Sequence, residues 1–194
     1  MNQPSIFLAS EETRKQAIHA VVMGFTTDPL VRWFWPKASS YLDTSFNVFD
    51  ALGGRAIESG TAYVTENYES VALWMPPGVE PDDDRMTPIF QTTVAEAILA
   101  DVFAVFEAMD SYKPKDPCWY LPLIAVDPFF QGRGFGSQLM KHALSRIDED
   151  RLPAYLESSN PRNIALYERH GFEVMDRIQI GSSPLITPMI RAAR

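Results

Sequence analysis

The sequence predicts a single α/β domain over residues 1–194, and three patterns support this fold class. The alternating apolar runs TAYVTE and SVALWM are typical of a β-hairpin. The apolar run LPLIAV predicts a buried strand, and a glycine-rich loop and an amphipathic helix follow it. The segment YLESSNPRNIALYERHGF then indicates a second strand with its own helix. Strands and helices that alternate in this way are typical of the α/β class.

The first elements begin at recognisable signals. Residues 5–9 predict a short strand, and Ser10 predicts the N-cap of a helix that extends to about Phe25. Asp28 precedes a proline, so it is predicted to cap a second helix, which ends before Pro36.

The remaining elements follow the same rules. A third helix is predicted over 40–58, and the hairpin turns at Asn67-Tyr68. Thr87-Pro88 predicts the start of one long helix to about Tyr112, which packs on the sheet; the alternative is that it also forms the wall of a ligand pocket. After the buried strand we expect, in order, a helix to Ile147, a strand over Ala154–Glu157, a helix to Arg169 and two strands around Gly181–Pro184.

Composition limits the classes of function. The chain has 194 residues, of which 46% are hydrophobic, enough for one core. Its 17 basic and 25 acidic side chains give a net charge of −8, which disfavours binding of nucleic acid and anionic membranes and is compatible with a cationic ligand. The N-terminal residues carry neither a signal-peptide core nor a spanning helix, so we expect a cytoplasmic protein. The single cysteine and the spacing of the three histidines predict neither an intrachain disulfide nor a metal site.

The glycine-rich loop, DPFFQGRGFGSQLM, is the most informative segment. Its glycines, Gly132, Gly134 and Gly136, leave the backbone free of Cβ atoms, so several N–H groups can converge on a phosphate. The helix that begins at about Phe135 adds the positive end of its dipole. The loop therefore predicts an anion-binding cradle at the end of a strand.

Two common phosphate loops fit this sequence poorly. A mononucleotide P-loop requires Lys and then Ser or Thr after the last glycine, whereas Ser137-Gln138 stand there. A dinucleotide fingerprint requires a third glycine at Ser137. Glu157 lies at about the right distance to hold a ribose, so the dinucleotide interpretation stays open as the weaker alternative, although few residues follow for the rest of its sheet.

The pattern Gln131-x-x-Gly134-x-Gly136 resembles the pyrophosphate loop of the GCN5-related N-acetyltransferase (GNAT) superfamily. A second block, residues 155–172, resembles the late strand and helix of the same superfamily. Its matching positions are Asn160, Asn163, Ala165, Tyr167, Gly171 and Phe172. The phrases TTDPLVRWFWP, VALWMPPG and WYLPLIAVDP are similar to the puromycin acetyltransferase-like branch, although the acceptor-binding residues of that branch do not carry over.

The resemblance implies a mixed, mostly antiparallel central sheet flanked by helices, whose splayed fourth and fifth strands hold the pantetheine arm of acetyl-CoA between them. Backbone groups at 124–126 are expected to bind the arm and, near a bulge, to stabilise an oxyanion. The loop 131–137 is expected to bind the pyrophosphate, with Arg133 as a charge partner; Asn160 is equally explained as a helix cap. The predicted cofactor contacts are Ile124, Ala125, Val126, Gln131, Gly132, Arg133, Gly134, Phe135, Gly136, Ser137, Asn160, Asn163 and Tyr167.

The resemblance also implies the chemistry. Tyr167 matches the tyrosine that protonates the departing thiolate in the superfamily. Glu157 is a candidate base for the acceptor amine, with a salt bridge, a surface position or a water chain as alternatives. Candidates for the acceptor pocket are Asp28, Trp33, Trp35 and Trp74, although aromatic residues among apolar neighbours more often belong to a core.

We therefore expect an acetyl-CoA-dependent N-acetyltransferase that acts by direct attack of a small-molecule primary amine, with no metal and no nucleic-acid or membrane partner. Two alternatives stay open: a protein or peptide N-acetyltransferase, and a non-catalytic acyl-CoA-binding regulatory domain. A homodimer is also allowed.

Overall fold

The computed structural model describes residues 5–194 as a mixed seven-stranded sheet with helices on both faces. The strands are β1 (Ile6–Leu8), β2 (Ala62–Thr65), β3 (Ser70–Met75), β4 (Trp119–Val126), β5 (Ala154–Ser158), β6 (Glu173–Val174) and β7 (Thr187–Arg191). The helices are α1 (Arg14–Gly24), α2 (Pro29–Phe34), α3 (Ala38–Gly53), α4 (Arg55–Glu58), α5 (Asp83–Thr93), α6 (Glu96–Tyr112), α7 (Phe135–Ile147) and α8 (Ile164–Arg169). The strand order is β1-β2-β3-β4-β5-β7-β6, and only β4 and β5 pair in parallel. The predicted fold class is confirmed.

Both faces of the sheet are buried. In β3, Val71 and Leu73 pack against α1–α6 on one face, whereas Ala72 and Trp74 pack against α7 and α8 on the other. Successive side chains of a strand point to opposite faces of the sheet. When both faces are covered, the sequence of the strand is therefore a continuous apolar run. Among residues 5–194, no helix combines the length and apolar character needed to cross a bilayer.

The fourth and fifth strands separate soon after they meet. Their pairing ends at Tyr120 and Tyr155, although β4 continues to Val126 and β5 to Ser158. The register between β3 and β4 also shifts by one residue, which places a bulge in β4 around Pro122. A proline has no N–H to donate, so it is tolerated at such a bulge. The separated strand ends leave a gap in the middle of the sheet.

The last residue of α1 lies directly against this gap. A Cβ atom added to Gly24 would come within 2.6 Å of the Ala125 Cβ atom and 3.1 Å of the Val126 amide nitrogen. Only glycine therefore allows α1 to approach the unpaired part of β4 this closely.

We predict that Gly24→Ala lowers the free energy of unfolding by about 1–3 kcal/mol, because the added methyl group forces α1 away from β4. Urea denaturation followed by circular dichroism measures the change. A variant as stable as the wild-type protein would show that this contact does not constrain β4.

The structure corrects three element boundaries. The single helix predicted from Thr87-Pro88 to Tyr112 is wrong, because α5 and α6 are separate helices and Pro88 lies inside α5. The helix predicted over 40–58 is divided between α3 and α4 at Gly54. The final strands lie further apart than predicted, and a single bridge between Ile178 and Ile186 is the only pairing next to the 181–184 turn.

Candidate functional site

A cavity of about 520 Å³ occupies the gap between β4 and β5. Its walls are the end of α1, the unpaired parts of both strands, the glycine loop and the start of α8. With the exception of Arg133, every residue predicted to contact the cofactor lines this cavity. The structure thus brings together segments that are far apart in the sequence, and their contact with acetyl-CoA stays a prediction.

The glycine loop has the backbone geometry of a cradle. Gly132 and Gly134 have φ angles of 75° and 86°, in the left-handed region that favours glycine. Gly134 is the N-cap of α7, so the first amides of that helix face the same end of the cavity. The Gln131 side chain donates a hydrogen bond to the Val126 carbonyl (3.1 Å), which fixes the loop to the end of β4.

Arg133 does not point into the cradle. Its guanidinium carbon lies 5.3 Å and 5.2 Å from the ring centroids of Phe129 and Phe130, at the exposed surface of the loop. Arg162 and Arg169 line the cavity instead. We therefore replace Arg133 with these two arginines as the expected charge partners of the phosphates. In the sequence, the only signal for Arg162 and Arg169 is their position within the block of residues 155–172, which resembles the superfamily.

We predict that Gly134→Val weakens acetyl-CoA binding at least tenfold, because a branched side chain is strained at this φ angle and obstructs the approach of phosphate to the backbone. Gly60→Val is the matched control: Gly60 also has a positive φ angle (66°) but lies outside the cavity. Calorimetric titration of both variants separates the loss of binding from the general cost of replacing such a glycine. Equal affinities in the two folded variants would remove the loop from the cofactor site.

Asn160 and Asn163 behave differently. The Asn160 side chain accepts a hydrogen bond from the Arg162 amide (3.1 Å), which makes it a cap of the short 3-10 turn before α8. The Asn163 side chain makes no capping bond. Both residues line the cavity, and Asn163 has the freer side chain for a ligand.

A second cavity, of about 430 Å³, adjoins the first. Aromatic rings from α2, α5 and α6 form one wall, with Phe34, Phe90 and Phe106 packed edge-to-face or tilted at centroid distances of 5.0–5.8 Å. The two cavities share a set of lining residues, namely Phe25, Asp28, Pro122, Glu157 and Ser159. We call this shared set the junction.

Glu157 at the junction has the properties of a proton acceptor. Its Oε2 atom accepts a hydrogen bond from the Tyr120 hydroxyl (2.9 Å). Burial raises the pKa of Glu157 to about 7, although the hydrogen bond from Tyr120, the nearby Tyr155 hydroxyl and the charge of Lys113 act in the opposite direction. A carboxylate with this pKa is well matched to proton transfer near neutral pH. Sequence reasoning found Glu157 but missed Tyr120.

Tyr167 forms part of the wall of the first cavity. Its side chain is 5% exposed, and its ring packs edge-on against Phe172. Within residues 5–194 its hydroxyl has no hydrogen-bond partner, and it is not sealed in the core. Burial, together with the negative charge of Asp28, raises the pKa of Tyr167 well above 10. The phenol therefore keeps its proton at neutral pH, although its raised pKa makes it a weaker acid than a free tyrosine.

Asp28 connects the two halves of the site. Its Oδ1 atom accepts hydrogen bonds from the amides of Leu30 (3.0 Å) and Val31 (3.1 Å), as the predicted cap of α2. Its Oδ2 atom accepts a hydrogen bond (2.6 Å) from the hydroxyl of Ser159, the residue that follows β5. No sequence pattern indicated a contact between residues 131 positions apart.

The three tryptophans proposed for the acceptor pocket separate into different roles. Trp35 lines the second cavity and donates a hydrogen bond to the Thr93 hydroxyl (3.0 Å). Trp33 donates to Ser182 and lines neither cavity. Trp74 is fully buried in the core on the α7 face of the sheet.

Two sequence comparisons agree with this geometry. Residues 92–172 match the model of the acetyltransferase (GNAT) family. An uncharacterised N-acetyltransferase of Schizosaccharomyces pombe is 23% identical over 193 aligned positions, which cover 86% of this chain and 73% of the yeast protein.

Solved structures share the fold over the whole chain. A Corynebacterium glutamicum protein, described as histone acetyltransferase HPA2 and related acetyltransferase, superposes with a TM-score of 0.70 at 24% identity, covering 100% of this chain and 98% of that protein. Arylalkylamine N-acetyltransferase 2 of Aedes aegypti gives a TM-score of 0.69 at 10% identity, with 100% of both chains covered. The narrower likeness to the puromycin acetyltransferase-like branch stays a prediction. The whole-chain likeness to these structures shows that the chain has the GNAT fold, and the glycine cradle lies within the segment that matches the acetyltransferase (GNAT) family model.

Proposed function

We propose that the protein transfers the acetyl group of acetyl-CoA to the primary amine of a small molecule with an apolar or aromatic body. The observation that carries this proposal is the junction, where a cavity between β4 and β5 meets an aromatic-walled cavity beside Glu157. Such a meeting point lets two substrates approach each other from opposite sides.

The first cavity fits acetyl-CoA. The unpaired edges of β4 and β5 leave backbone N–H and C=O groups without strand partners, and an extended pantetheine arm can satisfy them as an added strand. The cradle at Gly132 and Gly134 lies at one end of the same cavity, where the pyrophosphate would bind. The strand edges therefore suit the pantetheine arm of acetyl-CoA, and the glycine cradle suits its pyrophosphate.

The residues of the junction divide the proton transfers between them. Acetyl-CoA supplies an activated acetyl group as a thioester. Glu157 is positioned to take a proton from the acceptor amine, directly or through water, before the nitrogen attacks the carbonyl carbon. Tyr167 donates its proton to the sulfur as the carbon–sulfur bond breaks. Backbone N–H groups beside the Pro122 bulge are placed to stabilise the oxyanion, an effect of roughly 3–4 kcal/mol per donor.

The second cavity supports a small amine as the acceptor. Residues of α5 and α6 line it as walls of a pocket, whereas a peptide requires a long open groove. Its aromatic wall suits an apolar body, and the net charge of −8 favours a cation. The name of the Aedes aegypti protein, an arylalkylamine N-acetyltransferase, agrees with this substrate class.

The test is a screen of primary amines, amine-containing antibiotics and peptides for acceptor-dependent release of free CoA. We expect small aromatic or apolar amines to give the highest kcat/KM. A preference for peptides would support the peptide N-acetyltransferase instead. Tight acetyl-CoA binding with no acceptor at all would support a non-catalytic acyl-CoA-binding domain.

A further inference from the structure

The Asp28 carboxylate is buried at the junction without a positive partner. Asp28 is 6% exposed, and within residues 5–194 no Lys, Arg or His side chain forms an ion pair with it. A buried charge is costly unless an opposite charge or hydrogen bonds compensate for it. Such a carboxylate beside two cavities therefore leaves room for a cationic ligand.

The hydrogen bonds of Asp28 fix its orientation but do not neutralise it. Two backbone amides hold Oδ1 and the Ser159 hydroxyl holds Oδ2, so three neutral donors surround one negative charge. Burial raises the pKa of Asp28, and these hydrogen bonds act against that rise. Because a carboxylate oxygen has two lone pairs, Oδ2 can still accept a hydrogen bond from a ligand.

We propose that Asp28 binds the ammonium group of the acceptor and holds it at the junction, next to Glu157. This inference rests on the proposed function, because it concerns the amine of the same reaction. Ser159 is a positioning residue: it holds Oδ2 and joins α2, which helps to form the acceptor cavity, to the loop that follows β5. The body of the acceptor then lies along the aromatic wall formed by Phe34, Phe90 and Phe106.

This arrangement separates two roles that one carboxylate performs poorly. A binding carboxylate must be ionised to attract the ammonium group. Burial raises the pKa of Asp28, its three hydrogen bonds favour the ionised form against this larger effect, and a bound ammonium group would favour it further. A base must give up its charge as it takes the proton, and Glu157, with a pKa of about 7, is suited to that. Asp28 therefore selects the cation and Glu157 takes its first proton, which makes the nitrogen nucleophilic. The second proton, lost as the amide forms, replaces the one that Tyr167 gives to the sulfur.

The first test is the variant Asp28→Asn. Asparagine is also a good N-cap: its Oδ1 can accept from the amides of Leu30 and Val31, and its Nδ2 can donate to the Ser159 hydroxyl, so the variant removes mainly the charge. We expect the KM of the best amine from the screen to rise about ten- to a hundredfold, because a charge-assisted hydrogen bond is lost, while the KM of acetyl-CoA changes little. Asp43→Asn, at an exposed position on α3, is the control for the loss of one negative charge. An unchanged acceptor KM in Asp28→Asn would overturn the proposal.

The second test asks whether the charge itself is recognised. The probes are 2-phenylethylamine and its neutral analogue 2-phenylethanol, measured as ligands of the acetyl-CoA-loaded protein. We expect the wild-type protein and Glu157→Gln to bind the amine at least tenfold more tightly than the alcohol. Ser159→Ala, which leaves Asp28 in place, should retain a smaller preference. Equal binding of the two probes by the wild-type protein, including no measurable binding of either, would overturn the proposal.

The two proposals fail in different ways. If the wild-type protein acetylates no amine in the screen, the proposed function fails and this inference with it. If it acetylates amines but Asp28→Asn keeps the wild-type acceptor KM, only the role of Asp28 fails. If Asp28→Asn does not fold, Ser159→Ala decides: an acceptor KM raised severalfold supports the proposal, and a wild-type value overturns it.

Discussion

The variant Tyr167→Phe is expected to slow the acetyl-transfer step about ten- to a thousandfold while the affinity for acetyl-CoA changes little. The hydroxyl donates its proton mainly in the transition state, so its removal affects the reaction and not the binding. The phenylalanine ring keeps the packing against Phe172. Single-turnover transfer at saturating acceptor is the measurement, because steady-state turnover can report slow CoA release.

A second tyrosine provides the control for this experiment. The hydroxyl of Tyr112 donates a hydrogen bond to Asp176, and Tyr112 lines neither cavity. Tyr112→Phe should therefore leave the transfer step unchanged. If Tyr167→Phe transfers acetyl as fast as the wild-type protein, another group or water supplies the proton, and Tyr167 serves only in packing.

The parts of the site that the sequence predicted are those encoded by local patterns. The glycine loop, the strand before it and the block around Tyr167 each lie within a short run of residues, so their spacing carries the information. The cap at Asp28 was likewise visible, because Asp followed by Pro is a local signal.

The parts that were missed depend on contacts across the fold. The hydrogen bond between Asp28 and Ser159 joins residues on separate elements, and the bond between Tyr120 and Glu157 requires that β4 and β5 lie side by side. The direction of Arg133 depends on the exposed ring of Phe129 and the half-buried ring of Phe130, against which its guanidinium packs. Neither the two hydrogen bonds nor the direction of Arg133 can be predicted from the spacing of residues along the chain.

The division of the long helix into α5 and α6 was missed for a different reason. Apolar periodicity continues through both helices, and no Pro or Gly stands at the break. The true start of α5 had its own signal: Asp82 caps the helix, and Asp83 and Asp84 place negative charge in its first turn. The prediction of a start at Pro88 conflicts with this acidic cap. Both helices line the second cavity, so the error falls on the side of the site where we propose that the acceptor binds.

The variant Glu157→Gln is expected to reduce turnover by about a hundredfold or more, because it removes the group that accepts the amine proton. Since the pKa of Glu157 is raised to about 7, the base is protonated and inactive below that pH and ionised and active above it. The kcat/KM of the wild-type enzyme should therefore rise with pH to a plateau above about 7. Glu157→Gln should lack this rise. The amine itself also titrates, but its contribution lies at higher pH and is the same in both proteins.

The variant Tyr120→Phe tests the same assignment without removing the carboxylate. The Tyr120 hydroxyl donates a hydrogen bond to Glu157 and thereby lowers its pKa, against the larger effect of burial. Without that hydrogen bond the ionised form of Glu157 is less stable, so the midpoint of the pH profile should move above about 7 while the plateau rate is largely kept. A midpoint that is unchanged in Tyr120→Phe, or a rise near pH 7 that persists in Glu157→Gln, would assign this titration to another group. The proton acceptor would then have to be sought among water molecules at the junction, with Glu157 as a wall of the cavity.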